Sequence, residues 1–290
     1  MNPHRITRRR ALAAMGGALL ASPACSALAA GGPRKFKIGA CDWSIQKRGD
    51  PEALKTAKEI GLDGVEVSFG RPGEKFDLRL AENRAAYLAE AKNQGVEIAS
   101  LAMGILNQVP YASDDGAEQW VAECIDVMPQ LNQQVVLLAF FGNGDIKDRP
   151  ERRQEIARRL NRVAPRAEAA GVTLGIESYL NADEHLRILD AVGSPSVQVY
   201  FDVANMYEMG YDVCREIRQL GRERICQIHC KENGSLLGEG RVDFAKVRQT
   251  LDEIGWQGWL VIEGALPGGQ PMFESYVKNQ RFLRRVFCPT

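Results

Sequence analysis

Eight short apolar runs recur along this chain, each followed by a stretch of helix length. They are KIGACDWS (37–44), GVEVSF (64–69), VEIASLAM (96–103), QVVLLAFF (134–141), VTLGIES (172–178), VQVYFDVAN (197–205), ICQIHCK (225–231) and WLVIEG (259–264). Regular alternation of this kind is the mark of repeated β-α units. Parallel strands covered on both faces read as nearly continuous apolar runs, and these do. The punctuation of the intervening segments agrees. Asp50-Pro51 supplies a cap and a first-turn proline, and Gly61 stands where that helix must stop. Asp243 precedes Phe244, Val247, Leu251 and Ile254 at helical spacing, with Gly255 at the end. Gly95, Gly171, Gly193 and Gly221 are similar stops. The expected fold class is α/β, one (β/α)8 barrel. A doubly wound open sheet would want a glycine-rich phosphate turn after its first strand, and CDWSIQKRGD is nothing of the kind.

The first thirty residues stand outside that pattern. Thr7 is followed by Arg8-Arg9-Arg10, then an apolar stretch from Ala11 to Leu20, then small residues through Ala27-Leu28-Ala29. A basic start, a short apolar core and an A-x-A site describe an export signal. The order Thr-Arg-Arg-x-x-Leu resembles the twin-arginine class, with Ala11 where a bulky apolar residue is usual. With Gly16 and Gly17 inside it, the segment is too short to be a stable membrane span. Lipid anchoring at Cys25 is disfavoured, because Ser22-Pro23-Ala24 lacks the expected leucine. The expected organisation is therefore an export signal over residues 1–30 and a barrel over 31–290. The mature protein is expected in the periplasm or outside the cell.

Charge and cysteine content narrow the partners. The chain has 37 bases against 37 acids, and four of the arginines but no acids precede Ala29. The remainder carries 33 against 37, a net −4, with no basic stripe, which argues against nucleic acid. Without a CxxC pair, a structural zinc site is not expected. Cys41, Cys226 and Cys230 fall in strand runs and read as buried small apolar groups.

Four of the runs carry a polar residue near the C-terminal end: Glu177, Asp202, His229 and Glu263. Strand side chains alternate, so each of these shares a parity with the other inward positions of its run. Gln227, His229 and Lys231 oppose Ile228 and Cys230; Tyr200 and Asp202 oppose Phe201. Glu66 and Ser68 of the second run have the same character and suit an opposite wall. Taken singly, a strand-end carboxylate reads as a cap or salt-bridge partner and His229 as a satisfied core histidine. His185, in ADEHLRILD, reads as a surface residue. Together the four are different. Three carboxylates buried side by side would repel, and one would have to stay protonated unless a cation joined them. Oxygen and imidazole ligands suit a divalent metal at the C-terminal end of a barrel.

The motifs GLDGVEV (61–67), GIES (175–178), FDVAN (201–205), HCKE (229–232), GEGRVDF (238–244) and VIEG (261–264) resemble, in order and spacing, those of the xylose isomerase-like barrels. That superfamily of sugar isomerases and epimerases also includes endonuclease IV. The resemblance implies one divalent ion (manganese, magnesium or cobalt, with zinc as a further option) held by Glu177, Asp202, His229 and Glu263. It implies proton abstraction beside a carbonyl through an enediolate, with Glu177 and Glu263 as acid and base. Lys231 would neutralise an alkoxide or bind a substrate carboxylate. Trp43, Glu66, Asn205, Glu232 and Arg241 are the further candidates for substrate contact.

The departures also speak. Beyond the leader the chain holds only His185 and His229, too few for the three-zinc cluster of a DNA-repair relative. Asn205 stands where many relatives carry histidine, and the loop after the seventh run has no base before Arg241. The expected function is a metal-dependent isomerase or epimerase acting on a non-phosphorylated sugar or keto-sugar. A lyase on the same site, such as an inosose-type dehydratase or a keto-glycoside deglycosidase, is the alternative, and a non-catalytic sugar-binding barrel is the third reading. The expected partner is a small sugar or cyclitol, with a homo-oligomer left open.

Overall fold

The computed structural model describes residues 35–289, so the export-signal expectation for residues 1–30 lies outside the described part. Eight strands close into a barrel in sequence order. They are β1 (Phe36–Cys41), β2 (Gly64–Ser68), β3 (Glu97–Met103), β4 (Val135–Ala139), β5 (Thr173–Glu177), β6 (Val197–Asp202), β7 (Ile225–Glu232) and β8 (Gly258–Gly264). Every neighbouring pair is parallel, including the closing pair β1–β8. The helices are α1 (Glu52–Ile60), α2 (Ala81–Gln94), α3 (Asp115–Val127), α4 (Pro150–Ala170), α5 (Ala182–Val192), α6 (Val203–Glu208), α7 (Val213–Leu220), α8 (Phe244–Glu253) and α9 (Met272–Phe287). None of the described helices is long and apolar enough to cross a membrane.

The barrel has two interiors. Outward-pointing strand residues such as Val65, Ile176, Phe201, Ile228 and Ile262 pack against the helices in one large apolar cluster. The lumen is far smaller. Its apolar part is Ala102, Leu137, Ala139 and Tyr200, with Trp43, Val135, Phe141 and Cys226 against it. Glycine makes that lumen possible at one point. A Cβ on Gly175 would lie 2.7 Å from Cys226 Sγ and 3.1 Å from Tyr200 Cβ, so the bare backbone of β5 leaves room for the tyrosine ring.

Two apolar runs end differently from their sequence pattern. The run 197–205 is not one strand: β6 stops at Asp202, whose Oδ1 accepts from Ala204 N and Asn205 N and so caps α6. The run 37–44 leaves the sheet after Cys41 and enters a turn in which Gln46 and Gly49 take φ of 58° and 62°. Asp42 fixes that turn. It is fully buried, with Oδ2 accepting from Gly49 N (3.0 Å) and Ser68 N (2.8 Å) and Oδ1 from Ser68 Oγ (2.8 Å). Burial pushes its carboxyl up to about 6 despite these bonds. The six cysteines from Cys41 to Cys288 are unbridged; Cys41 and Cys230 are buried, while Cys226 is partly exposed.

Candidate active site

The barrel brings Glu177, Asp202, His229 and Glu263 together at the C-terminal ends of four consecutive strands, β5 to β8. One ligand atom from each lies within 4.8 Å of all the others. Register explains the convergence. Asp202 pairs with His229 across β6–β7, and Lys231, the next inward residue of β7, pairs with Glu263 across β7–β8. His229 Nδ1 lies 2.8 Å from Glu177 Oε1 and 3.5 Å from Glu263 Oε2. Lys231 Nζ lies 2.9 Å from Glu263 Oε2 and 3.5 Å from Asp202 Oδ2. Trp43 Nε1–H donates to Glu263 Oε1 at 3.2 Å.

The electrostatics are those of crowded carboxylates. Burial pushes Glu177 up to about 7, against the pull of His229, and raises Asp202 against the pull of Lys231. Burial also acts on Glu263, but the His229 and Lys231 charges outweigh it and bring that carboxyl down to about 2. For His229 burial favours the neutral ring, yet the Glu177 carboxylate and its other neighbours hold it well above the ordinary range. Asp202 Oδ2 is buried and accepts no hydrogen bond. A buried carboxylate oxygen with no hydrogen bond, faced by the Lys231 ammonium at 3.5 Å and by two other carboxylates, is costly and well suited to a cation. Three carboxylates and one imidazole on a rigid strand-end frame fit a divalent metal.

Above the four donors the barrel mouth holds a cavity of about 260 Å³. Trp43, Phe141 and Tyr179 form an aromatic wall, the last two packed edge to face at 4.8 Å. Ser68, Asn107, Gln108, Asn205 and Lys231 supply polar groups. Arg48, carried by the turn that Asp42 pins, also lines the cavity and makes no ion pair or hydrogen bond among the described residues. A concave, partly apolar space with a few convergent polar groups is what a small polyhydroxylated ligand needs.

The candidates from sequence divide into three groups. Trp43, Glu177, Asn205, Lys231 and Glu263 line the cavity, with Asp202 and His229 beneath. Glu66 is buried under His229 and does not reach the cavity: its Oε2 lies 3.3 Å from His229 Nε2. Glu232 and Arg241 are placed elsewhere. Glu232 turns away and accepts from Val242 N (2.8 Å) and Arg241 N (3.1 Å), in a space that a Cβ on Gly240 would fill. The Arg241 side chain is exposed and contributes only its backbone. His185, expected at the surface, is instead buried between Ser178 Oγ (3.0 Å) and Asn181 O (3.1 Å). Its place on the inward face of α5, one turn after the capping Asn181, is what buries it.

Tyr179 and Phe141 were reachable from sequence by carrying the strand alternation one step further. Each shares the parity of an inward residue: Glu177 and Ala139 respectively. Arg48, Asn107 and Gln108 come from loops, where no periodicity applies.

Residues 54–286 match the family model of the xylose isomerase-like TIM barrel. The chain belongs to that family. Among its barrel relatives, the 2-epi-5-epi-valiolone 7-phosphate 2-epimerase of Actinoplanes sp. is 28% identical over 226 residues, 75% of this chain and 82% of that one. The L-ribulose-5-phosphate 3-epimerase UlaE of Salmonella typhi is 28% identical over 236 residues, 73% and 81%. The fold is similar to that of a D-psicose 3-epimerase crystallised in the presence of D-fructose. There the TM-score is 0.73 at 18% identity, covering 87% of this chain and 99% of that one. As a member of this group the protein is an isomerase/epimerase enzyme.

Proposed function

We propose that the protein is a divalent-metal-dependent epimerase that inverts a carbon beside the carbonyl of a keto sugar. The observation that carries this reading is the meeting of Glu177, Asp202, His229 and Glu263 on the floor of a cavity of monosaccharide size. Manganese, magnesium or cobalt suits a set of three carboxylates and one imidazole. Glu177, Asp202, His229 and Glu263 would hold the ion, which when bound would supply Lewis-acid chemistry for deprotonation beside a carbonyl.

The chain's own groups do the rest. Glu263, kept ionised by Lys231 and His229, accepts the proton from one side of the carbon. Glu177, on β5, reaches the carbon from another strand, takes a proton from solvent and returns it from the other side, which inverts the carbon. Lys231 offers a fixed ammonium to the sugar oxygens, and Asn205 an amide. Trp43, Phe141 and Tyr179 cover the C–H faces of the ring and exclude water.

The leader supports an exported enzyme, and with it a non-phosphorylated sugar. Arg48 supports a second reading, in which the substrate carries an anionic end, because it is a guanidinium lining the cavity with no ion pair among the described residues. Assays of matched free and phosphorylated ketoses separate the two. On the second reading Arg48→Ala raises KM for the phosphorylated sugar roughly tenfold to a hundredfold, the worth of a charged hydrogen bond. It leaves the free sugar unaffected. Equal effects on both sugars would remove the anion from the account.

The central test is NMR of keto sugars in deuterium oxide with manganese-loaded protein. Solvent deuterium should appear at the inverted carbon. Loss of water or of an aglycone would replace epimerase by lyase, and binding without turnover across the panel would leave only a sugar-binding barrel.

A further inference from the structure

Beneath the proposed metal ligands lies a second group of side chains that the reaction scheme does not use. Cys41 and Glu66 are register partners on β1 and β2, and both face His229 across the lumen. Glu66 Oε2 lies 3.3 Å and Cys41 Sγ 3.5 Å from His229 Nε2. Tyr200 Oη–H donates to the same Glu66 oxygen, from the seat that Gly175 leaves open. Glu66, Cys41 and His229 are all fully buried, and Glu66 Oε1 has no hydrogen-bond partner.

A carboxylate in that position is expensive for the barrel, since an apolar residue would fill the layer without a bare oxygen. What it offers is an acceptor aimed at one ring nitrogen of His229. The other nitrogen, Nδ1, points at Glu177 and Glu263. A neutral imidazole can offer a lone pair at only one nitrogen and keeps its proton on the other. A metal-binding histidine needs its far N–H held to fix both tautomer and ring angle.

We infer that Glu66, seated by Tyr200, is the positioning residue of His229: it holds the proton on Nε2 and turns Nδ1 toward the three carboxylates above. This rests on the metal reading of the site. Cys41 fills the remaining space beside Nε2 as a thiol, its ionisation suppressed by burial.

The chain has three histidines, which makes imidazole nitrogens assignable by nitrogen-15 NMR in the intact protein. In the protein freed of metal, at a pH high enough to leave the His229 ring neutral, Nε2 should carry a proton in slow exchange, and Glu66→Gln should remove that signal's protection. A glutamine can present its amide N–H to Nε2 and so favour the wrong tautomer. Manganese affinity, read by competition with a chelator, should fall about tenfold to a hundredfold in Glu66→Gln. Thermal stability should hold or rise. Tyr200→Phe, which keeps the carboxylate and removes only its support, should shift affinity in the same direction by less, and serves if Glu66→Gln does not fold.

Unchanged Nε2 protection together with affinity within twofold of the parent would overturn the inference. So would two manganese ions per chain with one lost on Cys41→Ser, because Glu66 would then be a ligand. Failure of the parent to bind manganese at all would strike the metal reading instead, and the NMR comparison would still decide the role of Glu66.

Discussion

The two sides of each strand in this barrel obey different rules. On the outer side Ile176, Phe201, Ile228 and Ile262 meet helices in an unbroken apolar layer. One residue further along, on the inner side, stand Glu177, Asp202, His229 and Glu263. Unpaired buried oxygens occur on both sides: Tyr87 Oη and Tyr111 Oη in the outer layer, and Glu66 Oε1, Ser100 Oγ, Asp202 Oδ2 and Gln227 Oε1 on β2, β3, β6 and β7, but those in the lumen include two carboxylate oxygens. The helices and outer strand faces hold the fold, and that frees the lumen to keep polar groups that a fold selected for stability alone would discard.

The two described histidines show the same split. His185 sits in the outer layer between a serine hydroxyl and a backbone carbonyl, and burial takes it down to about 4. His229 sits among carboxylates in the lumen, which hold it well above the ordinary value. Equal burial gives opposite titration because the neighbours differ in charge.

The sharpest way to break the comparison is to alter the inner side alone. Glu177→Gln should cost about three to four orders of magnitude in kcat, while the melting temperature stays level or rises as carboxylate repulsion is relieved. A melting temperature that drops with activity would mean that the lumen, too, is structural. The outer counterpart is Ile228→Ala, adjacent to His229. It should cost about 2–5 kcal/mol in a urea titration, with kcat per folded molecule unchanged. A fall in kcat at full folding would show that the two sides are coupled through the strand.

The smallest effect concerns His185. Its folded value near 4 lies below the unfolded 6.5, so the unfolded chain binds more protons between them. Stability is therefore complete above pH 6.5 and lost as pH falls toward 4, by about 3 kcal/mol at most. His185→Asn should flatten that slope in urea titrations at several pH values. A slope that survives the substitution would assign it to the lumen carboxylates.

How much of this was legible in the chain follows from where periodicity applies. Within strands the two-residue repeat separates inner from outer, so Glu177, Asp202, His229 and Glu263 could be grouped without coordinates. The same repeat misplaced nothing in the lumen, but it could not say how high each residue stands. Glu66 has the inward parity, yet it sits a layer too deep to touch the cavity. Glu232 follows Lys231 by one position and therefore faces outward, where the loop around Gly240 takes it up as a backbone acceptor. The break of the sixth run at Asp202 was hidden because Val203 and Ala204 are as apolar in a helix as in a strand. Arg48 depends on a turn fixed by Asp42 through contacts 26 residues away in sequence. Such pairing has no local signature.

One consequence of the way β6 ends is a matter of denticity. Asp202 gives Oδ1 to two N–H groups of α6, which leaves Oδ2 alone for a cation. The carboxylate is therefore confined to one-oxygen coordination unless the helix cap is broken. Calcium gathers about six to eight oxygens and gains from carboxylates that chelate with both, whereas smaller octahedral ions do not need this. A helix cap thus weighs against the larger divalent ion and for the smaller ones.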